Sequence, residues 1–96
     1  MKIKVRGYLT LKRAMGDEGL LEVETESAST RGVLDELCHR FGGDFRDMIV
    51  DPASGEVGPH IRILVNGRRF ISVPDQLDNE LKEGDELGLF PPLAGG

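Results

Sequence analysis

Lys2-Ile3-Lys4-Val5-Arg6-Gly7-Tyr8-Leu9-Thr10 alternates along its length, with Ile3, Val5, Gly7 and Leu9 on one side and Lys2, Lys4, Arg6, Tyr8 and Thr10 on the other. A period of two marks a half-buried strand. Leu20 to Glu26 repeats the pattern, setting Leu21, Val23 and Thr25 against Glu22, Glu24 and Glu26. The charges of the two segments are opposite: Lys2, Lys4, Arg6, Lys12 and Arg13 precede any acid, and Asp17, Glu18, Glu22, Glu24 and Glu26 follow without a base. If the chain reverses between about Arg13 and Gly19, even-numbered bases face even-numbered acids across an antiparallel pair, each contact adding about 0.2–1 kcal/mol. The pattern predicts an N-terminal hairpin.

Downstream, Ser27-Ala28-Ser29-Thr30 supplies capping hydroxyls, and Val33, Leu34, Leu37, Cys38 and Phe41 trace one face of a helix that Gly42-Gly43 ends. Cys38 falls inside that stripe and reads as a small core residue. Phe45, Met48 and Ile49 predict a short helical turn, and the stretch to Pro59 reads as turns and loop. His60 to Asn66 reads as a strand, Asn66-Gly67 as a tight turn, and Arg69-Phe70-Ile71 as a short returning strand. Leu77 to Leu81 reads as a short helical connection, Lys82 to Asp85 as a turn, and Glu86 to Phe90 as a last strand stopped by Pro91-Pro92. Neither the helix stripe nor the sheet face can be buried alone, so an α+β architecture follows, in which a mixed sheet grasps one helix and the first and last strands lie parallel at its centre.

The 96 residues make one domain, with 39% hydrophobic and 30% charged residues spread along the chain. A formal charge of −5 has the wrong sign for binding phosphate backbones, so nucleic acid is not an expected partner. No apolar run is long enough to cross a membrane, and the N-terminus lacks a signal-peptide core, which predicts a cytoplasmic protein. One cysteine forms no internal disulfide, thiolate zinc cluster or four-cysteine iron–sulfur site, so no metal is expected.

Motifs of catalysis are missing: no P-loop, no G-x-G-x-x-G, no H-E-x-x-H and no G-x-S-x-G. His39 and His60 face no obvious nucleophile and read as structural or solvent-exposed. Asp75, Asp78, Glu80, Glu83, Asp85 and Glu86, relieved only by Lys82, form an acidic run that reads as a solvated face or as a docking surface for a basic partner. The end of the chain is distinctive. Six residues beyond Phe90 reach at most about 20 Å, and two terminal glycines read either as a frayed end or as a backbone able to pass a channel too narrow for any residue with a Cβ. Residues 1–90 are thus expected to form the domain and 91–96 a flexible tail.

Val65-Asn66-Gly67, Leu81-Lys82-Glu83-Gly84-Asp85-Glu86 and Leu89-Phe90-Pro91-Pro92-Leu93-Ala94-Gly95-Gly96 together resemble the ubiquitin-like sulfur-carrier family (MoaD/ThiS-like), as do Lys4-Val5-Arg6 and Thr10-Leu11-Lys12. The resemblance runs over nearly the whole chain and departs at Asn79-Glu80-Leu81, where the family more often shows Thr-Pro-Leu. It implies a β-grasp fold, a mixed sheet of four to five strands on one main helix. It also implies a carrier cycle rather than an enzyme. An E1-like (MoeB/ThiF-like) partner would use ATP and magnesium, neither bound by this chain, to adenylate the Gly96 carboxylate; a sulfur donor would convert it to a thiocarboxylate. Gly95 and Ala94 would thread the tail, and Phe90, Pro91, Pro92 and Leu93 would dock its base. The acceptor implied first is an enzyme such as the large subunit of molybdopterin synthase. The alternatives are sulfur supply to thiamine, tRNA thiolation or amino-acid synthesis, a modifier joined to lysines through Gly96, and an inert interaction module.

Overall fold

Ile3 and Val5 are wholly buried while Lys2 and Lys4 are exposed, as the alternation requires. In the computed structural model, which describes residues 1–16, 19–26, 29–73 and 75–91, this segment forms β1 (Lys2–Gly7), paired antiparallel with β2 (Leu20–Glu24). The register sets Lys2 opposite Glu24 and Lys4 opposite Glu22, so opposite charges face each other there as expected, whereas Arg6 faces Leu20 and turns to Glu86 on the other side. β1 ends at Gly7 rather than Thr10, because the chain turns there into α1 (Leu9–Ala14). Leu11 and Met15, one helical turn apart, are fully buried, and that gain outweighs continued pairing. Leu9 makes the turn at φ 54, a left-handed conformation costly for leucine. A Cβ on Gly7 would fall 2.6 Å from Met15 Sδ, so glycine is what lets the turn close.

The main helix, α2 (Thr30–Phe41), starts where Ser29 Oγ accepts the Gly32 N–H at 3.1 Å and stops at Gly42, whose φ is 78. Val33, Leu34 and Leu37 are fully buried against the sheet, with Cys38 and Phe41 half-buried beside them. The expected helical turn is α3 (Gly43–Ile49), which buries Phe45 and Ile49. Where the sequence reads only as turns, β3 (Val50–Asp51) and β4 (Glu56–Val57) form a separate two-stranded sheet. Asp51 closes it, its carbonyl accepting the Gly55 N–H at 2.8 Å and its carboxylate the Ala53 N–H at 2.9 Å.

β5 (Arg62–Val65) and β6 (Arg69–Ile71) form a hairpin through Asn66 and Gly67, whose φ values of 54 and 68 are those of the type I′ turn. Leu77 to Leu81 is not helical: Leu77 and Leu81 are buried, but turns join them, held to the start of α2. Thr30 Oγ1 donates to Asn79 Oδ1 at 2.6 Å, the Arg31 N–H bonds the Leu77 carbonyl at 2.8 Å, and Ser29 pairs with Glu80. These contacts replace the hydrogen bonds a helix would have made internally.

β7 (Glu86–Phe90) completes a sheet of order β2-β1-β7-β5-β6, mixed because β1 and β7 run parallel. Among the described residues this gives a five-stranded sheet with α2 laid across one face. The architecture is the β-grasp fold.

Candidate functional site

Strand parity decides what the other face of the sheet carries. Residues opposite in parity to Ile63, Val65, Leu87 and Leu89 turn outward, and on β5, β6 and β7 these are Arg62, Leu64, Phe70, Glu86, Gly88 and Phe90. The parallel register sets Gly7 beside Leu89, and the Tyr8 N–H bonds the Leu89 carbonyl at 3.1 Å, which brings Tyr8 level with Phe90. Their rings stack with centroids 4.2 Å apart and planes 4° from parallel. Phe70 leans on Phe90 at 6.0 Å, and the Arg62 guanidinium lies 4.6 Å from the centre of the Phe70 ring, a cation–π distance.

Gly88 forms the floor of this patch. A Cβ there would sit 3.4 Å from Tyr8 Cε2 and 3.6 Å from Leu64 Cβ, so both side chains close over the bare backbone. Tyr8, Phe70 and Phe90 are three of the chain's five aromatic residues, held on the solvent side of the sheet while Phe41 and Phe45 pack inside. Phe70 remains 49% exposed. Apolar side chains gathered on an outer face mark a surface built for contact. Leu9 and Leu20, also exposed, lie toward the end of the sheet where β7 finishes.

The tail begins at this patch. Phe90 is half-buried within it and Pro91 is buried. Pro92, Leu93, Ala94, Gly95 and Gly96, expected to dock, thread and carry the reactive carboxylate, lie outside the described residues. Tyr8, Leu64 and Phe70 escaped the sequence reading; their outward parity was visible, but the register joining four strands was not.

Four acids of the run, Asp78, Glu83, Asp85 and Glu86, make contacts at the surface of the fold. Asp78 binds Arg31 at 2.8 Å, and that hydrogen bond holds the guanidinium pKa above its ordinary value. Glu83 accepts the Lys2 N–H at 2.8 Å, and Glu86 lies 3.6 Å from Arg6. Asp85 takes the Lys82 N–H at 2.7 Å and Asn66 Nδ2 at 3.2 Å, tying the turn before β7 to the turn after β5. Cys38 is half-buried, and desolvation pushes its thiol pKa up more than Arg46 draws it down, the environment of an inert thiol. His39 is exposed, and His60 Nε2 lies 2.9 Å from the Met48 carbonyl, bracing α3. Among the described residues, no three His, Cys, Asp or Glu side chains gather as a metal site, and no helix is long and apolar enough to cross a membrane.

Comparison with known proteins agrees with this geometry. The model of the ThiS family matches residues 10–96. Small archaeal modifier protein 3 of Haloferax volcanii is 31% identical over 96 residues, the whole of both chains. The crystal structure of SAMP1 from Haloferax volcanii superposes with a TM-score of 0.82 at 26% identity, covering all of both chains. The solution structure of small archaeal modifier protein 1 from Methanosarcina acetivorans gives 0.81 at 26% identity, over 99% of this chain and 96% of that one. A β-grasp body ending beside an outward aromatic patch, matched end to end by such relatives, belongs to the ThiS/MoaD-like family of ubiquitin-like sulfur carriers.

Proposed function

We propose that the Gly96 carboxylate is the working group of this protein and that the Tyr8–Phe70–Phe90 patch is where its partners grip. The family is one of carriers and modifiers rather than catalysts, served by E1-like activating enzymes and by acceptors. A carboxylate is a poor electrophile. In an activating enzyme of the MoeB/ThiF type, its oxygen would bond the α-phosphorus of ATP as pyrophosphate leaves, with magnesium offsetting the phosphate charge. Sulfur from a persulfide-type donor would then displace AMP, and reduction would leave a thiocarboxylate at Gly96. The acceptor we favour is the large subunit of molybdopterin synthase, because the Phe90-Pro91-Pro92-Leu93-Ala94-Gly95-Gly96 ending most resembles that branch.

The observation that carries this reading is the position of the patch at the root of the tail. Five residues follow Pro91, so a partner seated on Tyr8, Phe70 and Phe90 has the terminal carboxylate within about 17 Å. The tail ends in Gly95-Gly96, which offer no side chain to obstruct a narrow catalytic channel. Incubation with an activating enzyme, ATP and a sulfur donor should replace one oxygen by sulfur in the C-terminal peptide, read by intact mass. No change at Gly96 with any activating enzyme from the same organism would refute the proposal.

A second reading has its own support, since the relative 31% identical along the whole chain is named a modifier protein. The activated Gly96 carbonyl would then be attacked by a lysine amine to give an isopeptide. The last tryptic site is Lys82, so the branch left on a target lysine would be residues 83–96. Finding that branch separates the readings, which share the same activation step.

A further inference from the structure

β2 is the edge strand of the sheet, at the end remote from β6. Its odd-numbered positions bond inward: the Thr25 N–H reaches the Met1 carbonyl at 2.9 Å and the Gly19 carbonyl accepts the Gly7 N–H at 3.2 Å. In an antiparallel ladder the intervening residues turn their backbone groups the other way. The N–H and C=O groups of Leu20, Glu22 and Glu24 therefore point off the sheet edge, and no strand among the described residues pairs with them. Between this edge and α2 lies an open groove of about 550 Å³, walled by Glu24 and Glu26 on one side and Asp35, Glu36 and His39 on the other. Gly32 keeps the α2 wall low at this point.

The inner side of β2 gives the pattern of side chains that already faces this strand. On its inner side β2 pairs with Lys2-Ile3-Lys4-Val5-Arg6, and Lys2 and Lys4 stand opposite Glu24 and Glu22. Glu24 also holds the N-terminal ammonium at 3.2 Å. Glu22 and Glu24 are exposed and flank the outer side of the strand as well. A strand added there would set one row of its side chains beside these carboxylates and the alternate row in the groove against Asp35 and Glu36. Basic residues suit both rows. A second copy of this chain does not: edge-to-edge pairing of two β2 strands opposes glutamate to glutamate.

We propose that the outer edge of β2 is a docking site for an extended, basic segment of a partner protein, bound by strand addition. Glu24, at one end of this edge, lies opposite Lys2, about 17 Å along β1 from Gly7, beside which the tail departs; at the other end Leu20 is separated from β7 by the width of β1. Such a partner would leave Gly96 free, and its binding does not depend on the tail chemistry.

The test is a titration of the ¹⁵N-labelled full-length chain with a capped peptide of alternating lysine and valine, followed by amide shifts. The expected result is saturable shifts at Leu20, Glu22, Glu24, Asp35 and Glu36. Glu22→Gln with Glu24→Gln should weaken binding about tenfold, and N-methylation of alternate peptide residues should abolish it. A variant lacking Gly95 and Gly96 should bind unchanged, which separates this site from the tail's function. The proposal is overturned by shifts centred on Tyr8, Phe70 and Phe90, by no shift at millimolar peptide, or by binding that survives N-methylation.

Discussion

Phe70→Ala tests the aromatic patch most directly, because it divides folding from recognition. A phenylalanine buries roughly 150–250 Å² when fully enclosed. At 49% exposure, Phe70 keeps about 100 Å² for a partner, worth at most about 2.5 kcal/mol at 25 cal/mol per Å². That ceiling corresponds to about 60-fold in affinity. Within the fold Phe70 touches Phe90 and the Arg62 guanidinium at the sheet edge and fills no sealed space. Its loss should therefore cost stability only about 1 kcal/mol, well short of a core truncation. Isothermal titration against the cognate activating enzyme, paired with urea unfolding, measures both quantities. A Kd shifted less than twofold in a folded variant would remove the patch from partner recognition. A stability loss comparable to a core leucine would mean that Phe70 belongs to the core.

Leu37→Ala should show the opposite profile, losing about 2–5 kcal/mol by urea unfolding because the side chain is fully enclosed between α2 and the sheet. Gly95→Val, or deletion of Gly96, should leave the urea midpoint unchanged yet abolish mass-detected charging; a shifted midpoint would contradict the separation of tail from body. Asp85→Ala removes the acceptor for both the Lys82 N–H and Asn66 Nδ2 and should cost about 1–2 kcal/mol, a loss Asp85→Asn should partly restore. For Cys38, burial raises the thiol pKa in the folded chain above its unfolded value. The unfolded state therefore releases its proton first, and stability falls as pH rises through the alkaline range. Native Cys38 should also alkylate more slowly at mildly alkaline pH than the urea-unfolded chain, and equal rates would place the thiol in solvent.

The elements legible in the sequence are those whose signal is local and long enough to repeat. Lys2 to Arg6 and Leu21 to Glu26 display their alternation and opposite charges openly, Val33 to Phe41 covers more than two helical turns, and Asn66-Gly67 names its own turn. α1 is hidden because it buries only Leu11, with Met15 just past its end, and Tyr8-Leu9-Thr10 continues the strand's parity. Leu77 and Leu81 mislead in the opposite sense. Their spacing of four fits a helix, but both are buried through turns that Thr30 and Arg31 fasten from another element. β3 and β4 are two residues each, below any periodic signal. The aromatic patch draws Leu64, Phe70 and Phe90 from three strands and Tyr8 from the turn that follows β1, so only the pairing register assembles it. Phe90 could be singled out beforehand solely because the tail motif begins there.

The central position of β7 has a mechanical side. β1 and β5 bond it along both flanks, and β1 runs in the same direction, so a pull on the C-terminus loads the two ladders in shear. Many hydrogen bonds must then yield together, where an edge strand would peel away one bond at a time. A load applied at that end therefore meets the resistance of the whole sheet before the body unravels.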